Sequence, residues 1–240
     1  MELIFEAVLS GEREVVRVLR ADPLAYRTQA SRDFLVDAIP HWLYVGDTPL
    51  HLAAAGLRPG VVKILLASGS DPNTENRRAA TPLHYACDAR PRSGGTWNPA
   101  AQVAIIDALV GHGAHLDRAD SGGATPLHRA VRARSAGAVR QLLALGARTD
   151  CRLRARGATP LHLAARSTGA GGTAHTIDSQ LGIISLLRQY GADVAALDRA
   201  GRTPGDWSGS ECVSEALRVS PRPTPGPNDA SDVGGEAGSG

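Results

Sequence analysis

The 240-residue chain carries a single lysine, Lys63, one methionine and only nine aromatic residues. That scarcity excludes a core built on bulky rings and leaves Ala, Gly, Leu and Arg to supply the packing. Its three cysteines, Cys87, Cys151 and Cys212, are odd in number and far apart, with no CxxC pair. No disulfide framework is expected, and a reducing compartment is favoured. No run of about 18 apolar residues occurs, so no segment reads as a membrane-spanning helix. Glu2 and Glu6 stand where a secretory signal would be positive, which predicts a cytoplasmic protein and leaves open export without a cleavable signal. The net charge of only +2 removes any global signature for nucleic acid or membrane. No phosphate-cradling loop is present either, since Gly122-Gly123 and Gly171-Gly172 lack the strand and lysine such a site requires.

What the chain does have is a repeat. Thr-Pro-Leu-His occurs at 48–51, 81–84, 125–128 and 159–162, with a degraded Thr-Pro-Gly-Asp at 203–206. Each of the four is followed by an apolar block, such as Val61-Val62-Lys63-Ile64-Leu65-Leu66, and then by Gly69, Gly113, Gly146 or Gly191. The Thr-to-Gly interval alternates between 21 and 32 residues, so every second unit holds an 11-residue insertion. The local chemistry explains the pattern. Thr caps a helix, Pro tolerates the first helical position, and the small residues that follow allow close packing. Val62, Leu65 and Leu66 form an apolar helical stripe, and the terminal Gly supplies a left-handed stop. Each helix–turn–helix is too small to bury its own face, so stacking must bury it.

These residues resemble the ankyrin repeat, which implies an all-α repeat fold: a helix-turn-helix solenoid of about six units with short hairpin connectors. The expected layout is an N-terminal capping unit at 1–25, a long connector at 26–46, four well-matched repeats at 47–197 and a degenerate C-terminal cap at 198–218. Residues 219–240, rich in Pro and Gly, read as a disordered tail. The resemblance also implies that His51, His84, His128 and His162 are structural, each tying its unit to the next. It further implies a non-catalytic protein–protein interaction module without cofactor or metal, working as a monomer on a partner protein. Ankyrin repeats bind through hairpin tips and the exposed end of the first helix. Carried onto this chain, those positions are Tyr44 and Asp47, then Arg77, Arg78 and Asp88, then Ser121 and Arg132. Arg156 and Arg166 follow, and Arg199 and Arg202 complete the strip.

That strip is mostly basic. Between Asp120 and Arg166 there are nine arginines against two acids, which predicts a partner with an acidic surface. The same arginines allow nucleic acid or another polyanion as an alternative. The connector 26–46 gathers Tyr26, Phe34, Trp42 and Tyr44, which either seal the first repeat or form a binding anchor, Trp42 being a candidate contact. The insertion loops 90–98 and 167–176 both contain Gly-Gly-Thr and end at an expected N-cap, Asn98 and Thr176, so a two-repeat block looks duplicated. They could form a second surface.

Three constellations invite a catalytic or metal reading. His84 and Cys87 sit three apart like a thiol and its base, but Cys87 occupies a position held by Ala54, Val131 and Ala165 in the other units, which points to a core-filling thiol. His112 and His115 flank the helix-ending Gly113 and lack a third ligand. Cys151 lies beside Arg152 and Arg154, which could lower its pKa and would support an alternative reading as an enzyme with a reactive thiol.

Overall fold

A computed structural model describes residues 3–36, 39, 41–88, 98–166 and 174–218. The insertion loops except for Asn98 and 174–176, and the Pro/Gly-rich tail, lie outside the described residues. The helices pair along the chain: α1 (Leu3–Ser10) with α2 (Glu12–Ala21), α3 (Pro49–Ala55) with α4 (Pro59–Ala67), and α5 (Pro82–Asp88) with α6 (Pro99–Gly111). The series continues with α7 (Pro126–Arg132) and α8 (Ala136–Ala144), then α9 (Pro160–Ala165) and α10 (Ala174–Gln189). A 3-10 turn at Gly205–Trp207 and α11 (Glu211–Arg218) close the stack on α9 and α10. First helices pack on first helices and second on second, giving two layers. The apolar stripe named above, Val62, Leu65 and Leu66, lies between those layers in one continuous core with Leu50, Leu83, Leu127 and Leu161.

The Thr-Pro-Leu-His residues perform two tasks at once. In each unit the His Nδ1 accepts from the Thr backbone N–H, at 3.0 to 3.2 Å, within the first turn. The opposite ring nitrogen, Nε2, therefore carries the proton and donates to a carbonyl of the following unit. Its acceptors are Ala80 for His51, Ala124 for His84, Ala158 for His128 and Arg202 for His162, at 3.0 to 3.3 Å. At the degraded fifth copy, Asp206 accepts from the Thr203 N–H and hydroxyl, so the local half of the device survives in an acid.

The two longer second helices share a further device. Gln102 and Gln180 are both buried and stand four residues before Ile106 and Ile184. Gln102 Nε2 donates to the Ala86 carbonyl, and Gln180 Nε2 to those of Ala164 and Ala165. Each satisfies carbonyls left orphaned at the end of the first helix of its own unit. Asn98 caps α6 as its sequence predicts, accepting from the Ala101 N–H. Thr176, by contrast, lies inside α10, because Ala174 and His175 extend the helix and no breaker intervenes.

Connector 26–46 is not a plain loop. It holds a 3-10 turn at Ala25–Arg27 and an antiparallel hairpin of β1 (Phe34–Val36) and β2 (His41–Leu43), with Leu35 opposite Trp42. Phe34, Val36 and Leu43 pack on the core while Leu35 and Trp42 face outward. The aromatic cluster is thus divided between sealing and exposure, by the period of two along each strand.

Candidate functional site

Between consecutive helix pairs the chain turns out into a short hairpin, and one residue sets each turn. Asn76 Oδ1 accepts from the N–H groups of Arg78 and Ala80, Asp120 from Gly122 and Ala124, and Asp198 from Ala200 and Arg202. Leu153 takes this position in the remaining hairpin, which closes one residue later, from Leu153 N–H to the Ala158 carbonyl. That extra residue accounts for the 34-residue spacing after Thr125 against 33 after Thr48.

Successive hairpins are joined by single backbone hydrogen bonds. Arg77 N–H donates to Val45, Ser121 to Arg78, Arg154 to Gly122 and Arg199 to Arg156, all at 2.8 Å. This ladder brings Tyr44, Arg77, Arg78, Ser121, Arg156, Arg199 and Arg202 to one edge of the stack. Behind it runs a groove whose floor is the first-helix layer. Along it lies a cavity of about 420 Å³ lined by Tyr44, Arg78, Asp88, Ser121 and Arg132, together with Tyr85, Asp120 and Arg129.

The charges in this groove are less free than the sequence implies. Arg129, mostly buried, bonds Asp120 at 2.7 Å and lies 3.4 Å from Asp88; Arg132 bonds Asp88 at 2.9 Å. Burial works against the charge of Asp120, but the Arg129 guanidinium and the Ala124 N–H hold its carboxyl below the usual range. Arg77 pairs with Asp33 and Arg202 with Asp198. Burial also opposes ionisation of Asp198, yet the Arg202 N–H and guanidinium and the Trp207 indole keep its carboxyl well below the ordinary value. Among the described residues, Arg78, Arg156, Arg166 and Arg199 make no ion pair. Arg78 instead lies over the Tyr44 ring, 4.2 Å from its centroid, and Arg156 over Trp207 at 5.8 Å.

One expectation is corrected here, and one alternative loses its support. Asp47, read as an exposed contact, is fully buried. Its carboxylate accepts from the Tyr44 N–H and the Tyr85 hydroxyl at 2.6 Å and from Asn76 at 2.8 Å, and lies 3.7 Å from His51 Nε2. Cys151 does not gain an activating environment. Arg152 turns to the carbonyls of Gly157 and Leu197, and burial together with Asp117 raises the thiol pKa. Cys87 is also pushed up by burial, and both nitrogens of its neighbour His84 are engaged in the repeat bonds. His112 Nδ1 lies 2.7 Å from the Ala108 carbonyl of its own helix.

The sequence reading missed Tyr85, Arg129 and Trp207. All three stand four residues after the repeat threonine, where the other units carry Leu52 and Leu163. Tyr85 packs edge-on against His51 at 5.2 Å, and Trp207 against His162 at 5.5 Å. Scanning that one position down the repeats would have shown three large polar or aromatic residues among apolar ones.

Comparison with known proteins agrees with this architecture. The family model "Ankyrin repeats (3 copies)" matches residues 4–94 and 98–198. The chain belongs to the ankyrin-repeat family. Ankyrin repeats are protein–protein interaction modules. Among similar proteins, the mouse B-cell lymphoma 3 protein homolog is 33% identical over 104 residues, covering 43% of this chain and 22% of the relative. Human neurogenic locus notch homolog protein 4 is 34% identical over 107 residues, 45% of this chain and 5% of that protein. Rat NF-kappa-B inhibitor alpha is 48% identical over 42 residues, 18% of this chain and 13% of the relative. This ankyrin-repeat chain therefore spans less than a quarter of the length of these curated relatives. No helix among the described residues is long and apolar enough to cross a membrane.

Proposed function

We propose that the chain is a monomeric cytoplasmic module, with 1–218 as the binding unit, whose groove holds a partner protein that presents an acidic stretch. The observation that carries this reading is the hairpin ladder, which aligns Arg78, Arg156 and Arg199 on one edge without carboxylate partners among the described residues. A rigid, hydrogen-bonded edge saves ordering entropy on binding, and guanidinium groups match carboxylates in geometry. Arg132, Arg77 and Arg202 serve mainly to set the groove, since each is held by an aspartate of this chain.

The test is crosslinking capture followed by mass spectrometry, comparing the natural chain with Arg78→Glu/Arg156→Glu/Arg199→Glu. Partners lost from this variant and kept by Arg140→Glu, on the outer helix layer, are those the groove selects. Capture unchanged by the triple reversal would exclude the basic edge as the binding surface.

A further inference from the structure

We infer that the groove reads one extended segment at two acidic positions, the first held by Arg78 on the Tyr44 ring and the second by Arg156 on the Trp207 ring. This deepens the proposed function and rests on it. The rungs of the hairpin ladder are the carbonyls of Val45, Arg78, Gly122 and Arg156. Arg78 and Arg156 supply two of these acceptors, with Gly122 between them, and Arg199 donates to the last. The two arginines are 78 residues apart, as are His84 and His162, so they occupy one position of the duplicated two-repeat block.

Each also has a ring beside it, from the preceding hairpin for Arg78 and from the following unit for Arg156; Arg77 and Arg202 share those rings, at 5.7 and 5.3 Å, but are paired with Asp33 and Asp198. Each guanidinium lies over an aromatic ring, Arg78 at 4.2 Å from Tyr44 and Arg156 at 5.8 Å from Trp207. A ring covering one face shields the cation from water and leaves the in-plane N–H fork pointing outward for a carboxylate. Neither arginine has a carboxylate partner among the described residues. At the hairpin between them, Ser121 and Gly122 offer no charge, and Arg129 and Arg132 beneath are already met by Asp88 and Asp120. The Arg154 side chain passes that hairpin against Gly123 but has no ring over it, so the ring-held cations of the path are Arg78 and Arg156.

Geometry sets the spacing. Each hairpin contributes two extended arms about 4.8 Å apart, so two hairpins separate the arginines by about 20 Å. An extended chain rising about 3.3 Å per residue covers that distance in about six residues. The ligand is then a peptide with Glu or Asp at positions i and about i+6, and small or polar residues between.

Fluorescein-labelled Gly/Ser peptides bearing two glutamates about three, six or nine positions apart test this by polarisation on the full chain. The six-residue spacing should bind about tenfold tighter than the other two. Arg78→Ala and Arg156→Ala should each reduce it to the affinity of a one-glutamate peptide, with thermal melts unchanged because both side chains are exposed. Equal affinity at all spacings, weakened by salt, would overturn the two-anchor inference while the acidic-partner reading stands. No binding by any peptide, or tighter binding of an oligothymidine of similar charge, would overturn both.

Discussion

At Asp47 a carboxylate has left water entirely, and its neighbours come from three parts of the chain: Tyr44, Asn76 and Tyr85. Burial and the Asp47 charge push the Tyr85 hydroxyl pKa upward, so that hydroxyl stays protonated and donates. Asp47→Ala would take a shared acceptor from the Tyr44 N–H, the Asn76 amide and the Tyr85 hydroxyl at once, a loss of about 3 kcal/mol. Tyr85→Phe removes the bond to Asp47 and the one accepted from Asn76 but leaves Asp47 its other donors, and should cost about 1–2 kcal/mol. Urea midpoints at neutral pH measure both, and a smaller loss for Asp47→Ala than for Tyr85→Phe contradicts this account. The sequence placed Asp47 correctly, directly before the helix cap, yet could not show its burial. The donor that accounts for it lies 38 residues away, in the next unit. Arg132 illustrates the same limit, since its partner Asp88 is 44 residues distant. Thiol chemistry offers a second residue-scale check. Alkylation under native conditions should modify exposed Cys212 first and half-buried Cys151 more slowly, with Cys87 reacting only in denaturant. Peptide mapping by mass spectrometry reads the order directly.

Successive hairpins bring backbone against backbone. Gly123 has φ +82°, and a Cβ there would lie 2.6 Å from the Arg154 backbone nitrogen. Arg154 is the residue whose N–H bonds Gly122, so Gly123→Ala must push one rung of the ladder apart. Gly146, at φ +95°, ends α8 with nothing within 4 Å of such a Cβ. Gly146→Ala therefore meets only the left-handed strain, about 1 kcal/mol, while Gly123→Ala adds the lost bond and clash, about 1–2 kcal/mol more. Chemical denaturation of the two variants isolates the close approach, and equal losses would show that the rungs are not tightly coupled. Repeat elements were legible because caps, stripes and stops lie within a few residues of one another. Hairpin β1–β2 was not, because its strands are three residues each and its alternation is too brief to stand out. Gln102 and Gln180 escaped notice for a different reason: a polar residue in an apolar helix gains meaning only once the carbonyls it satisfies are placed.

For the whole stack, the histidines tie stability to pH. Burial, reinforced by Arg129, lowers the pKa of His84 to about 4; burial also lowers His128 to about 4 and His162 in the same direction. Each ring is neutral in the fold, accepting at Nδ1 and donating at Nε2, whereas a protonated ring has no lone pair for the Thr N–H. In the unfolded chain the same side chains titrate near 6.5, so between about 6.5 and 4 the unfolded state binds more protons. Stability is therefore fully present above about 6.5 and is lost as pH falls toward 4. The depressed carboxyls of Asp120 and Asp198 act in the same sense only below their unfolded values near 4, so the window above that belongs to the histidines. A shift of that size is worth on the order of 3 kcal/mol for each of His84 and His128. Because each unit is stable only through its neighbours, breaking one Nε2 bond weakens an interface rather than a site. His128→Gln keeps a donor and an acceptor but cannot titrate. Urea denaturation from pH 7 to pH 4 should show the natural chain losing stability steeply, and His128→Gln losing less across the same range. Parallel pH profiles for the two proteins would mean that these histidines do not set the acid limit of the fold.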